Sequence, residues 1–223
     1  MNTQKLIELF SKNRLEGYKS EKEHEQNLSL ISQISHKLGI LEIIIRNRID
    51  KVMSTKDKEW LFALLADIVL DDDNGKIKEH NALVSRQTFG FWVKVAQQYK
   101  IHSCAFNEEF LESLNFKKYF SRNHKKLNKS PLANYQKAYA LLLLIRNIRN
   151  RAFHFENLLK ILPDGRPRLS AKVTFTKSYG VFSVMPDMIV IFLDDILKSF
   201  DENLIKYAKN GEKSPPEIKQ DYS

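Results

Sequence analysis

The stretch Leu141–Leu162, LLLLIRNIRNRAFHFENLLKIL, joins two apolar runs through a dense polar segment. Its apolar residues keep a three- and four-residue spacing, which predicts one helix that continues through the polar middle. At roughly 100° per residue, a group of polar side chains falls on or beside the opposite face. This group, here called the polar patch, consists of Arg146, Asn147, Arg149, Asn150 and His154. We therefore expect the patch to be a functional surface of the helix.

The composition favours one mainly α-helical domain. The 223 residues are 43% hydrophobic, which suffices for a single sizeable core. Seven glycines and six prolines are few for this length, so long helices are favoured over a sandwich or barrel. The predicted domain covers residues 1–208, with residues 1–20 as an N-terminal arm. Residues 209–223 have too little apolar content to order themselves and are expected to form a disordered tail.

Charge and cysteine content indicate the partner and the compartment. The formal net charge of +9 favours a polyanionic partner, with nucleic acid as the first candidate. The single cysteine, Cys104, excludes an intrachain disulfide and a cysteine-based zinc site, which fits a reducing interior. The N-terminus resembles no signal peptide, and no apolar run is judged long enough to span a membrane. We expect a cytoplasmic protein.

Helical periodicity recurs along the chain. Apolar spacing predicts a helix over residues 4–16, a long helix from about Glu21 to Val52, and helices over 60–70 and 79–99. Gly39, inside the long helix, indicates close approach of another helix. The aromatic cluster Phe89–Trp92 is typical of core packing, with a base-stacking platform as the alternative.

The loops and strands give weaker signals. The acidic loop DDDNGK, residues 71–76, fails the EF-hand spacing, so a solvated turn is favoured. KVTFT and VFSV, joined through SYG at 178–180, predict a small β-hairpin near the C-terminus, the only strand signal found. A last helix is expected to begin at Pro186.

A basic run precedes the polar patch in the chain. It surrounds Tyr119 and Phe120 and contains Lys117, Lys118, Arg122, Lys125, Lys126 and Lys129. Most charge runs are solvated faces. Here the interleaved aromatics also fit a nucleic-acid groove, and we assign RNA contacts to Lys117, Lys118, Arg122, Lys125 and Lys126.

The polar patch contains the types of side chain that RNA cleavage without a metal or cofactor would require. Such cleavage requires a group that moves a proton near neutral pH, which suits His154. It also requires a fixed cation against the phosphorane charge, for which Arg149 is apt. Asn150, one turn before His154, can orient the imidazole or hold a phosphate oxygen.

Helix geometry adds a constraint on this site. Arg149 and His154 are about 140° apart around an ideal helix, so one phosphate cannot face both. Two antiparallel copies of the helix would remove the difficulty, with the arginine of one chain serving the histidine of the other. Arg146 is closer in angle to His154 and remains open as a phosphate clamp or as the catalytic cation.

Three segments together resemble a known family. LEIIIRNRID (41–50), TFGFW (88–92) and RNRAFHFEN (149–157) are similar to segments of the Abi-like abortive-infection proteins of bacteria, and Arg149 and His154 match their HEPN motif. The resemblance covers about residues 27–162. It implies an all-α HEPN bundle, a homodimer, metal-independent endoribonuclease activity, and a role in phage defence or as a toxin with an RNA or protein antitoxin. Many relatives carry a second histidine or a proline after the motif, where this chain has Phe155, Glu156 and Asn157.

Two other functional classes stay open. A non-catalytic module that binds RNA or a protein partner would show the same charge, aromatics and helices. An inert helical scaffold, with the polar patch as a solvated face, would leave the placement of the basic excess unexplained.

Overall fold

The computed structural model describes residues 3–69, 79–124, 126–127, 130–175 and 178–210. Most of these residues are helical, which confirms the predicted mainly-α class. The helices are α1 (Thr3–Phe10), α2 (Lys12–Leu15), α3 (Glu21–Ser54), α4 (Trp60–Val69), α5 (His80–Arg86), α6 (Phe89–Gln98), α7 (Glu108–Ser113), α8 (Asn134–Phe153), α9 (Ile189–Phe200) and α10 (Asn203–Asn210). Two antiparallel hairpins pair β1 (Lys126–Leu127) with β2 (Ser130–Pro131) and β3 (Ser170–Phe175) with β4 (Ser178–Ser183).

α3 contributes one face to the centre of the hydrophobic core. It begins after Ser20, whose hydroxyl accepts a hydrogen bond from the Glu23 backbone N–H. The buried face has the predicted spacing and includes Ile31, Ile34, Leu38, Leu41, Ile45 and Ile49. Lys37 is also buried there and pairs with Asp194 of α9. α3 is thus tied to α9 by charge as well as by apolar packing.

α3 also corrects the expectation that no segment could span a membrane. By length and composition alone, this helix is long and apolar enough to do so. The expectation rested on uninterrupted apolar runs, whereas the apolar residues of α3 are frequent although polar residues interrupt them. The same properties occur in the core helices of soluble proteins, so the finding is weak evidence for a membrane segment.

α8 is enclosed on every side along its middle. The six consecutive residues 140–145 are all buried, and consecutive positions point in all directions around a helix. The helix packs against α3, α6, α7 and β3. The apolar surface is therefore wider than the single face that the three- and four-residue spacing predicts, and polar groups reach solvent only towards the two ends of α8.

The helix does not continue to Leu162, as the sequence predicted, but ends at Phe153. Phe155 takes a left-handed conformation with φ 52°. The Phe155 N–H donates to the Ala152 carbonyl and the Glu156 N–H to the Arg151 carbonyl, which is the Schellman pattern of a helix end. Phe155 is consequently 51% exposed and does not belong to the buried apolar face of the helix.

Other predicted helices are interrupted. The helix expected over 79–99 is divided at Thr88, whose hydroxyl caps α6 by accepting from the Phe91 N–H. The N-terminal helix breaks at Ser11, where φ is 67°. The C-terminal helix breaks at Asp201, whose carboxylate accepts from the Asn203 N–H. In each case a short polar side chain stands at the break.

The C-terminal hairpin is confirmed, but its turn was misplaced. Ser178–Gly180 belongs to β4, and Phe175 pairs with Ser178, so the predicted connection is itself strand; residues 176–177 lie outside the described residues. The hairpin β1–β2 was not predicted, because two-residue strands leave no alternation to detect. The acidic loop 71–76 and residues 211–223 also lie outside the described residues, whereas α10 continues through Asn210.

Two expectations about packing have opposite outcomes. Core packing of the aromatic cluster is confirmed, since Phe89 and Trp92 are fully buried and Trp92 meets Trp60 edge to face at 5.9 Å. The expectation for Gly39 is wrong, because a Cβ atom added there would have no neighbour within 4 Å. Among the described residues, no helix approaches α3 closely at that point.

Candidate functional site

His154 stands at the C-terminal cap of α8 with an exposed side chain. Within the described residues its ring makes no hydrogen bond or ion pair. The preceding helix places the ring at the surface, and the left-handed Phe155 turns the chain away immediately after it. The imidazole is therefore accessible to a ligand from solvent.

Arg149 is held from two sides. Its Nε donates to Oε2 of Glu42 on α3 at 3.1 Å, and the guanidinium lies 5.1 Å from the centre of the Phe153 ring. Its Nη1 also donates to the side-chain oxygen of exposed Asn150 at 3.4 Å. The structure thus brings Arg149 and Asn150 together, while among the described residues no side-chain hydrogen bond joins either of them to His154.

The other two patch residues differ from each other. Arg146 is half-buried and has no ion pair among the described residues. Asn147 donates to the Ser170 carbonyl at 2.9 Å and so attaches β3 to α8. Asn147 therefore has a structural role that the helical wheel could not show, whereas Arg146 keeps its charge available.

The basic run is only partly available for RNA. Lys117 is exposed, but Lys118 pairs with Asp195 of α9, and Arg122 donates to the Asp164 carbonyl at 2.9 Å. Lys125 and the side chain of Lys126 lie outside the described residues.

The aromatic residues of the basic run are covered by other parts of the chain. Tyr119 and Phe120 are buried, and the Tyr119 hydroxyl donates to Asp195 at 2.8 Å. Tyr119 belongs to the hydrophobic core, and the Arg122 guanidinium lies 5.0 Å from the centre of the Phe120 ring.

A second group of charges lies beside His154, and no local sequence pattern indicates that Arg14 and Arg168 belong to it. Arg14 of α2 donates through Nη1 to the Phe155 carbonyl at 2.9 Å. Oε2 of Glu156 accepts from Arg151 at 2.5 Å and from Arg168 at 2.9 Å. Arg14 is 141 positions from Phe155, and no local pattern signals such a contact.

Asn27 fixes the segment that follows His154. This fully buried side chain donates to the Glu156 carbonyl at 3.1 Å and accepts from the Leu158 N–H at 2.8 Å. It also donates to the Tyr18 hydroxyl at 3.1 Å. Asn157 adds a bond to the Gly17 carbonyl at 2.8 Å. Residues 156–158 are therefore anchored to the N-terminal part of the chain.

Neither metal ligands nor relatives identify the site. Among the described residues, no three His, Cys, Asp or Glu side chains are placed to hold a metal ion. Comparisons with protein families, curated proteins and solved structures find no match to this chain. Membership of the Abi-like HEPN family stays a prediction that rests on the motif residues.

Proposed function

We propose that this protein is a metal-independent endoribonuclease with His154 at its active site. The carrying observation is the exposed, unpaired imidazole of His154 at the end of α8, with Asn150 one turn earlier and several guanidinium groups nearby. Histidine exchanges protons near neutral pH, and arginine stays charged while it binds phosphate oxygens.

The proposed reaction is attack of a ribose 2′-hydroxyl on the adjacent phosphorus. The 2′-hydroxyl loses its proton, the P–O5′ bond breaks, and the leaving O5′ gains a proton, which yields a 2′,3′-cyclic phosphate and a 5′-hydroxyl. His154 moves one of these protons. Arg149 stabilises the charge on the phosphorane, and Asn150 orients the reacting groups. Arg146 is the alternative for the cationic role, since it is not engaged by a carboxylate.

The proposed active form is a homodimer in which the C-terminal ends of two α8 helices meet. The Arg149 guanidinium is turned towards Glu42 and not towards His154 of the same chain. A second chain can supply the missing partner across a two-fold axis. Exposed Phe153 and Ile43, which adjoin this region in sequence, offer apolar surface for such pairing.

The biological setting of the proposal follows from the family resemblance. An Abi-like HEPN enzyme would act in the cytoplasm, in phage defence or as a toxin held by an RNA or protein antitoxin. The excess of positive charge supports RNA as the partner.

A second candidate is a non-catalytic module that binds RNA or a protein partner. The observation in its favour is the contact of Arg149 with both Glu42 and Phe153. An arginine so engaged can serve structure alone. Under this proposal the surface around His154 binds its ligand without cutting it.

Cleavage in the presence of EDTA separates the two candidates. Wild-type protein is expected to cut total RNA and to leave cyclic phosphate ends. His154→Ala should reduce the rate by about 100-fold or more, the usual loss when a general acid or base is removed. His36→Ala is the matched control, because His36 is exposed on α3 and lies outside the residues assigned to catalysis or to RNA binding. RNA binding without any wild-type cleavage would favour the non-catalytic module.

A further inference from the structure

The contacts around residues 155–156 contain three guanidinium groups from three separate parts of the chain. Arg14 comes from α2, Arg151 from the last turn of α8, and Arg168 from the segment before β3. Arg14 bonds the carbonyl of Phe155, and the other two bond the carboxylate of Glu156. All three therefore lie beside the two residues that follow His154.

We propose that Arg14, Arg151 and Arg168, here called the arginine cluster, bind a backbone phosphate of the RNA strand next to the one at His154. This inference rests on the proposed function and adds a substrate-binding subsite to it. The three arginines would fix the register of the strand, while His154 acts on the neighbouring phosphodiester.

The charges that face the cluster leave room for an anion. Tyr18 lies within electrostatic range of both Arg14 and Arg168, which oppose the rise that burial causes in the pKa of its hydroxyl. Among the described residues, Glu156 pairs with Arg151 and Arg168, and Glu23 acts on the same Tyr18 hydroxyl as Arg14 and Arg168. Three guanidiniums against two carboxylates leave one positive charge, which one phosphodiester would neutralise.

Arg14 is the member best placed to bind a ligand. Its side chain belongs to an exposed residue, and a single bond from Nη1 to a carbonyl is its only hydrogen bond in the described part of the chain. A guanidinium has five N–H donors, so several remain for a phosphate, which arginine binds through paired hydrogen bonds.

The support beneath the cluster is rigid. Asn27 bonds both Glu156 and Leu158, and Asn157 bonds Gly17 near Arg14. Binding would therefore cost little ordering of the backbone, because these contacts already fix it. A purely structural role for Arg14 would need only the bond to Phe155, and it would predict no dependence of RNA affinity on this side chain.

The test measures binding separately from cleavage. A fluorescent 2′-O-methyl RNA oligonucleotide cannot react through its 2′-position, so its fluorescence anisotropy reports affinity alone. Arg14→Ala should weaken binding about tenfold, in line with the loss of hydrogen bonds to a charged group. It should also reduce the slope of log affinity against log salt by about 0.7, the value for one contact to a single strand.

Two further variants serve as controls for the Arg14→Ala measurement. Arg86→Ala makes an equal change of charge at an exposed residue of α5, so it should leave both the RNA affinity and its salt dependence unchanged. Glu156→Gln keeps the backbone carbonyl that Asn27 binds but removes one opposing charge, so it should tighten binding. Circular dichroism of each variant checks that the helices are retained.

The outcomes distinguish this inference from the proposed function. Binding by Arg14→Ala equal to that of wild type, or no binding of the probe by any variant, would overturn the subsite. If Arg14→Ala lost affinity and the wild type did not cleave RNA, the result would support the subsite and contradict the proposed endoribonuclease activity. If cleavage depended on His154 but not on Arg14, and Arg14→Ala bound the probe as tightly as wild type, the result would support the endoribonuclease and contradict the subsite.

Discussion

Arg149 and His154 occupy different surroundings although only four residues separate them. Arg149 is fixed by Glu42 and Phe153, whereas the His154 ring has no partner among the described residues. A guanidinium that is already held loses little side-chain freedom when a phosphate arrives. If Arg149 is catalytic, Glu42 is therefore its positioning residue, since it would act on the substrate only through the arginine.

A second histidine makes a prediction about stability. His102 is buried against Tyr139, with ring centres 4.7 Å apart, and neither ring nitrogen has a hydrogen-bond partner in the described residues. Burial lowers the pKa of this imidazole below its ordinary value. The unfolded chain therefore binds a proton at a higher pH than the folded chain does.

The sign of the pH effect follows from this difference. Above the ordinary histidine value of about 6.5, His102 is neutral in both states and costs no stability through protonation. As the pH falls below that value, the unfolded state gains a proton first, so the free energy of unfolding decreases until the folded pKa is reached. We expect His102→Phe to lose stability less steeply than wild type between about pH 6.5 and 5. Urea unfolding at a series of pH values measures the slopes, and parallel slopes would contradict the prediction.

The end of α8 is the element on which the candidate site depends. The left-handed conformation of Phe155 crowds its Cβ atom against the backbone, a strain that glycine would not have. Because the Phe155 side chain is half buried, the stability of a single glycine variant relative to wild type would combine lost packing with relieved strain. The informative pair is Phe155→Ala and Phe155→Gly, which both remove the ring. The glycine variant should be the more stable by about 1 kcal/mol in urea unfolding. Equal stabilities would show that φ at this position carries no strain.

α3 offers a simpler change. Gly39 lies mid-helix, and an added Cβ would meet no atom within 4 Å. Gly39→Ala should therefore stabilise the protein by about 0.5–1 kcal/mol, because alanine loses less backbone entropy in a helix. Thermal or urea unfolding checks this. A less stable variant would mean that a partner approaches α3 at this point, for example a second chain.

The elements were predictable where their signals are local. α3 and α4 follow from apolar spacing, and Ser20 marks the start of α3 as a capping residue. The end of α8 was not predictable, because the Leu158 N–H donates its hydrogen bond to the side-chain oxygen of Asn27, 131 positions away. The same holds at the site. Its residue types were visible in the polar patch, but the pairing of Arg149 with Glu42 spans 107 positions and leaves no local trace.

At the scale of the molecule, distant parts of the chain meet beside His154. α2 contributes Arg14, α3 contributes Asn27 and Glu42, and the segment before β3 contributes Arg168. The N-terminal arm is thus part of the surface around the candidate site and not a separate appendage. An RNA strand bound there would contact the N-terminal arm and the end of α8 together.

The proposed dimer makes the sharpest prediction at this scale. If Arg149 of one chain serves His154 of the other, each dimer has two composite sites. His154→Ala and Arg149→Ala homodimers should both be inactive. Mixing them gives heterodimers in which one site has lost both residues and the other has kept both.

Recovery of activity on mixing tests that arrangement quantitatively. With free exchange of equal amounts, half of the dimers are heterodimers with one intact site of two, so about one quarter of the wild-type rate should return. Exchange is followed by energy transfer between differently labelled chains, and the rate by cleavage of a fluorogenic RNA. Both substitutions lie at the surface end of α8, so the variants should fold. Ile148→Asp serves as the contrasting variant, since it places a charge in the core and should unfold the chain. Complete exchange without returning activity would mean that both residues act from one chain or that a dimer needs both sites, and the shared site would be wrong.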